Sequence, residues 1–259
     1  MKLSFKNKLL LSVSPYLNFY EPQKRLLPTP IWFLPNCFPE LSPAVIFNTL
    51  FKVENEKYVA KSFIGKTKYI SLTGKGLDKL LFGVNNLRFL RELWDGNMRL
   101  VLFDVPEQDR KLRDELRFGL LDLGFAMWQK SVFITPHLVD KEVTSLVGKL
   151  GLENEVNMML VKPLNRKLNE LAWSLWNLRS LNGRYNIFIS QTRELLKEKV
   201  TTYKRWVIRC QRLRFEYYEM LTNEPFLPEQ ITGREYSTAE ASSCFLELGE
   251  KLTNVLERV

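Results

Sequence analysis

The 259-residue sequence has little of what most enzymatic chemistry needs. It holds three cysteines, Cys37, Cys210 and Cys244, far apart, odd in number and outside any C-x-x-C pair. Neither a disulfide framework nor a zinc site is expected, and a reducing, cytoplasmic setting suits the chain. His137 is the only histidine and follows Pro136 just past a strand-like run. No serine or cysteine nucleophile is marked by context, so a catalytic triad, which would have to use His137, is disfavoured. Glycine-rich phosphate loops are missing, since Gly74-Lys75-Gly76 is too short a pattern to carry one, and no cofactor is implied. No apolar run approaches the roughly 20 residues that cross a bilayer, so no membrane partner is expected. Lys2, Lys6 and Lys8 before Leu9-Leu10-Leu11 give only a faint likeness to a secretory leader. The run is short, Pro15 interrupts it and no small-residue cleavage site follows, so it reads as the first helix of a domain.

Acidic residues are scarce in one place. Residues 1–90 hold 13 Lys+Arg against 5 Asp+Glu, residues 91–180 hold 13 against 13, and residues 181–259 hold 12 against 11. Nearly the whole net charge of +9 therefore sits in the first third. Basic charge gathered in one segment is the footprint of a polyanion binder.

The periodicities divide the chain further. Residues 5–20 read as a helix with Leu9, Leu10, Val13 and Leu17 on one face. A Pro-punctuated stretch from Pro22 to Pro39 holds one short helix around Ile31-Trp32-Phe33-Leu34. Ser42 then suits an N-cap and Pro43 the first helical position. Ile46, Thr49, Leu50 and Val53 would face inward, leaving Ala44, Phe47, Asn48, Phe51 and Lys52 outward. Two β-type runs, 58–63 and 68–72, are joined through Ile64-Gly65-Lys66-Thr67, which reads as a hairpin turn. Thr73 caps a helix predicted over 75–93. Helices followed by a lysine-tipped hairpin are the layout of a winged helix, whose helix reads bases while the hairpin meets phosphates. Ser42, Ala44, Phe47, Asn48, Phe51 and Lys52 are thus candidate base-facing residues, with Lys61, Lys66, Thr67 and Lys68 on the wing.

In the middle third, Met98–Val105 is a strand stopped by Pro106, and residues 107–123 form a helix burying Leu112, Leu116, Leu120 and Leu123 before Gly124. Phe125–Gln129 and Ser131–Thr135 are strands, with Trp128 assigned to core or interface packing. Val143, Leu146, Val147 and Leu150 mark a helix closed by Gly151, and Val156–Val161 is a strand stopped by Pro163. The order β-α-β-β-α-β is a ferredoxin-like unit. The last third reads as helices over 166–180, 191–221 and 238–257, with a turn from Asn223 to Pro228. Leu196, Val200, Tyr203, Val207, Cys210, Tyr217 and Leu221 form the packing stripe of the long helix. Lys204, Arg205, Arg209, Arg212 and Arg214 are assigned to its solvated face.

The run Trp94-Asp95-Gly96, Arg99 to Glu107, Arg110, Arg113, Leu116, Leu123-Gly124-Phe125, Gln129, Ser131-Val132-Phe133 and Pro136 resembles the PaaX family of transcriptional repressors. Pro43 to Thr73, Trp176-Asn177-Leu178, Tyr185, Phe188 and Glu224 to Pro228 resemble further parts of the same family. The resemblance implies an α+β protein of three domains. These are a winged helix (1–83) followed by a linker helix (84–97), a ferredoxin-like dimerisation domain (98–165) and a helical C-terminal domain (166–259). It also implies a homodimer on double-stranded DNA with a palindromic operator, released by an acyl-coenzyme A effector such as phenylacetyl-coenzyme A. Glu235-Tyr236-Ser237-Thr238 stands where that family usually has Trp-Pro-Gly.

The ferredoxin-like unit also resembles the small CRISPR-associated nuclease, in which the aspartate ending the first strand helps hold a divalent metal across a dimer. Asp104 is the position that matches. A lone carboxylate is a weak site for a hard cation, so a structural Asp104 is preferred to a metal ligand. A metal-dependent nuclease aimed by the winged helix is the alternative to a regulator. It would want positive charge in the middle third, which is neutral.

Overall fold

The computed structural model describes residues 3–14, 17, 28–84, 86–162, 168–200 and 202–256. Pro15, Pro22 and Pro163, the 18–20 end of the first predicted helix and residues 166, 167 and 257 of the predicted C-terminal helices lie outside them. In chain order the elements are α1 (Phe5–Ser12), β1 (Thr29–Pro30), α2 (Leu34–Cys37), α3 (Pro43–Asn55), β2 (Val59–Ile64), β3 (Thr67–Leu72) and α4 (Gly74–Leu81). Then come β4 (Met98–Phe103), α5 (Arg110–Asp122), β5 (Ala126–Gln129), β6 (Val132–Thr135), α6 (Asp140–Leu150) and β7 (Val156–Val161). The remaining helices are α7 (Leu168–Leu175), α8 (Leu178–Lys197), α9 (Tyr203–Leu221), α10 (Glu229–Thr232) and α11 (Thr238–Leu256). The chain folds as two compact units that do not follow its linear order. One gathers residues 1–84, 182–223 and 237–259; the other gathers 85–181 and 224–236.

In the first unit the second half of α1 is buried, with Leu9, Leu10 and Leu11 fully inaccessible, while Lys6, Asn7 and Lys8 before them stay partly exposed. Its last carbonyls have no partner within the helix. Arg214 of α9 supplies one: its guanidinium donates to the Ser14 carbonyl at 2.6 Å and the Leu11 carbonyl at 3.3 Å, and to the Gln211 side chain at 3.2 Å. Arg214 is fully buried. The solvated-face assignment therefore fails for Arg214, because the end of α1 needs a donor there. Burial pulls its pKa down to about 10, so it remains charged at neutral pH. The carbonyl end of α1 favours that charge.

The predicted 191–221 helix is two helices. Lys251 ends α8 by donating to the Leu196 and Glu198 carbonyls at 2.6 and 2.8 Å, and the Trp206 indole donates to the Leu195 carbonyl at 3.4 Å. Capping by side chains from α9 and α11 outweighs continued helical propensity. Val207, Cys210, Tyr217 and Leu221 of the stripe are buried as expected, and Trp206 and Tyr218 join them. The predicted 75–93 helix stops at Leu81, with a 3-10 turn at Leu87–Arg91. Tyr218 donates its hydroxyl to the Leu80 carbonyl, and only glycine fits at 83, where a Cβ would come within 2.4 Å of that hydroxyl oxygen. Gly76 has a similar reason to be glycine, because a Cβ there would lie 1.9 Å from the Tyr58 carbonyl oxygen.

The second unit is the ferredoxin-like arrangement, an antiparallel sheet in the order β5-β6-β4-β7. Alternation along the strands splits its core. Val101, Phe103 and Phe133 pack with Leu116 and Leu120 of α5 and Val143 and Val147 of α6. Met98 and Ile134 pack with Ala172 of α7 and Ile231 of α10. The helix predicted over 166–180 breaks after Leu175. Asn177 there takes a left-handed φ of 51° before α8 starts. Trp128 lies at an irregularity between β5 and β6 and is 46% exposed, so it is no core residue of this chain.

The Trp94-Asp95-Gly96 motif is a clamp on Arg99. Asp95 accepts two bonds from its guanidinium at 2.9 and 2.7 Å, and Asp140 accepts a third at 3.2 Å. Arg99 is 3% exposed. Its hydrogen bonds hold the Asp95 carboxyl far below the usual carboxylate range. Asp95→Ala leaves this buried cation with one carboxylate, Asp140, and the Asn97 carbonyl at 3.4 Å, and we expect a loss of about 3 kcal/mol in urea unfolding. A loss under about 1 kcal/mol would mean that the clamp behaves as a surface pair.

Candidate nucleic-acid interface

The α3 helix starts where the sequence placed it, with Pro43 at its first position. Ser42 stands before it, but its side chain makes no capping bond. Ile46, Leu50 and Val53 are buried, while Thr49 is half-buried and donates to the Val45 carbonyl at 2.9 Å. Burying that stripe turns the opposite side out: Ser42, Ala44, Phe47, Asn48, Phe51 and Lys52 are all exposed. Lys52 lies in the last turn, where a cation complements the helix dipole.

β2 and β3 form the expected hairpin, paired from Val59↔Leu72 to Ile64↔Thr67, with β1 on the far side of β3. Its two-residue loop is Gly65-Lys66, with Gly65 at φ 60°. The register sets Phe63 opposite Lys68. Lys61, Lys66 and Lys68 are exposed and Thr67 is half-buried. The lysines are not equivalent. Lys61 is ion-paired with Glu54 of α3, the Lys68 ammonium lies 5.7 Å from the centre of the Phe63 ring, and Lys66 stands at the tip. Between helix and hairpin lies a groove of about 360 Å³ lined by Ile31, Phe47, Leu50, Phe51, Lys61, Phe63 and Lys68.

Sequence reading missed part of this surface. Val45, Phe63 and Ile64 are 45%, 67% and 57% exposed, and Phe63 projects into the groove. A signal was available: a hairpin arm running Lys-Ser-Phe-Ile keeps two large apolar residues next to its turn, where a solvated hairpin carries polar ones.

The other candidates sit elsewhere. Asp104 is exposed just past β4, and its backbone N–H donates to the Glu155 carbonyl at 2.9 Å. Among the described residues no three His, Cys, Asp or Glu side chains gather as a metal site. Cys37, Cys210 and Cys244 are free and buried. Burial raises all three thiols, Cys210 to about 12, so they are neither nucleophiles nor thiolate ligands as they stand.

His137 is 1% exposed and stacked on Phe89, with ring centres 3.7 Å apart. Its Nε2 lies 3.0 Å from the Pro225 carbonyl and its Nδ1 3.2 Å from Glu92. A carbonyl can only accept, so Nε2 carries the proton. Burial pushes the imidazole down to about 4 and the Glu92 carboxyl up. Both directions agree with a neutral ring whose Nδ1 accepts from a protonated Glu92. The other Glu92 oxygen accepts from the Leu138 N–H at 3.0 Å. His137 is therefore a structural bridge between the ferredoxin-like core and the Glu224–Pro228 turn.

The geometry defines a class: an α+β protein that joins an exposed helix-and-hairpin surface to a ferredoxin-like unit. Residues 91–171 match the PaaX protein central Cas2-like domain, and residues 176–258 match the PaaX-like protein C-terminal domain. The chain belongs to the PaaX family. It is 25% identical over 214 residues to the transcriptional repressor PaaX of Escherichia coli (strain K12), covering 78% of this chain and 67% of that one. The uncharacterized protein Rv0674 from Mycobacterium tuberculosis shares the fold, with a TM-score of 0.60 at 13% identity over 93% of this chain and 95% of that one.

The protonation of the His137 bridge is open to test. Glu92→Gln preserves both hydrogen bonds, since its amide can donate to Nδ1 and accept from Leu138. We expect a change of under about 1 kcal/mol in urea unfolding, against about 2–4 kcal/mol for Glu92→Ala, which strands both partners. A carboxyl with a raised pKa stabilises in acid and loses that contribution as pH rises through its folded value. The Gln variant should therefore gain on the natural chain from acid to alkaline pH. A loss in Gln as large as that in Ala would place the proton on the ring instead.

Proposed function

We propose that this chain is a DNA-binding transcriptional regulator whose residues 1–83 act as a winged helix. The observation that carries the reading is the pairing of an unpacked α3 face with a lysine-bearing hairpin, in the third of the chain that holds nearly all the net positive charge. In this reading α3 lies in the major groove, with Ser42, Ala44, Phe47, Asn48, Phe51 and Lys52 towards the bases. The hairpin places Lys61, Lys66, Thr67 and Lys68 against phosphates. Such contacts give register and affinity, and the helix gives sequence. The name of the Escherichia coli relative supports repression.

The finer reading is a cytoplasmic homodimer on a palindromic operator, paired through the ferredoxin-like residues 98–165, since twofold proteins match twofold sites. An acyl-coenzyme A thioester is its proposed effector. Effector binding works by favouring one placement of the two reading helices over another. The chain is not proposed to be an enzyme. The nuclease alternative around Asp104 gains no specific observation, and a distinct outcome in the assay below answers it.

Fluorescence anisotropy with DNA upstream of the protein's own gene, against a scrambled duplex of equal length, tests the proposal. Tighter binding upstream, without metal and without cleavage, is expected. Equal binding to both duplexes with metal-dependent cutting would replace the regulator with the nuclease. Lys66→Ala and Lys68→Ala should each flatten the slope of log affinity against log salt by about 0.9. Lys61→Ala should flatten it less, because Glu54 already holds that ammonium. Three unchanged slopes would remove the hairpin from the interface.

A further inference from the structure

Resting on the DNA-binding reading above, the composition of the exposed α3 face narrows what that helix can read. Its outward side chains are Ala44, Val45, Phe47, Asn48, Phe51 and Lys52, and Val45, Phe47 and Phe51 are 45%, 41% and 60% exposed. The helix holds no arginine and no glutamine, and its one lysine lies in the last turn. Arginine and lysine are the side chains that grip the guanine edge bidentately. The one apolar group a major groove offers to such a surface is the 5-methyl of thymine. Asparagine is suited to adenine, accepting from N6 and donating to N7. Both kinds of side chain on this face point to the same base pair.

The spacing agrees. Ala44, Phe47, Asn48 and Phe51 fall at i, i+3, i+4 and i+7, one stripe of the helix. It runs about 10 Å along the axis, roughly the rise of three base pairs. Charge speaks for DNA over a second copy of the chain as occupant of the adjoining groove. The aromatic floor of Phe47, Phe51 and Phe63 is rimmed by Lys61 and Lys68, and Glu54, paired to Lys61, is the acid at this rim. A twofold protein contact would set each copy's lysines near their own counterparts, whereas a duplex brings phosphates to them.

We propose that α3 is a reader of A·T pairs, in which Ala44, Phe47 and Phe51 pack on thymine methyl groups and Asn48 pairs with an adjacent adenine. The test does not require the operator sequence. Duplexes are selected from a random pool with the full chain, and the best is remade with each thymine in turn replaced by uracil, which pairs alike but lacks the methyl. We expect A·T pairs at the selected central positions of each half-site. Each contacted methyl lost should weaken binding about fourfold, the worth of one buried methylene-sized group, with the salt slope unchanged. Asn48→Ala should lose at least about fivefold of the preference for adenine at one position.

A selected duplex that binds equally with thymine or uracil, or that carries G·C at those positions, would overturn the inference and leave the regulator standing. Failure to bind or enrich any duplex would overturn the regulator itself. If Phe47→Ser with Phe51→Ser leaves the selected sequence unchanged but dissociates an oligomer, the face is a protein interface and the inference fails.

Discussion

One buried cation organises the first unit. Arg214 lies about 200 positions from the carbonyls it holds at the end of α1. Without that guanidinium the Ser14 and Leu11 carbonyls would keep only the backbone N–H groups of Leu17 and Ser14, each losing a bond to a charged donor worth about 1.5–3 kcal/mol. α1 and α2 pack on both α9 and α3. The orientation of the exposed α3 face thus depends on a residue from the last quarter of the chain. Lys251 does comparable work at the end of α8, so two cations from the C-terminal helices answer two helix ends.

What could be read from the sequence alone was whatever is coded locally. Pro43 set the start of α3, its apolar spacing gave the buried Ile46, Leu50 and Val53, and the β-α-β-β-α-β order of the second unit followed from alternation and glycine stops. What could not be read came from distant partners. Arg214 carries the same charge as the exposed Lys204 and Arg205 and falls in the same arginine-rich run. Only the carbonyls of α1, far off in sequence, distinguish it. The same holds for the break between α8 and α9, made by Lys251, and for the end of α4, fixed by Tyr218. His137, the only histidine, was disfavoured as a catalytic base in the sequence but had no role there; its neighbours Phe89, Glu92 and Pro225 make it a bridge.

The candidate interface was half legible. The outward α3 residues and the lysines follow from period and turn chemistry. The apolar character that Val45 and Phe63 add was visible in the letters but could not be assigned without exposure. Aromatic rings facing water are ordinary when single (Phe82 and Phe118 are such cases), but several around one groove are not.

The return of residues 224–236 to the second unit has a consequence for how the molecule is made. A ribosome releases the chain from its N-terminus at roughly 5–20 residues per second. Everything the ferredoxin-like unit needs has emerged once Tyr236 is clear. The N-terminal third, synthesised first, still lacks α11 at that moment. Its leucine-rich α1 has by then waited on the order of ten seconds for α9, the late helix it packs on. During that interval the earliest part of the protein is the most exposed to chaperones and proteases.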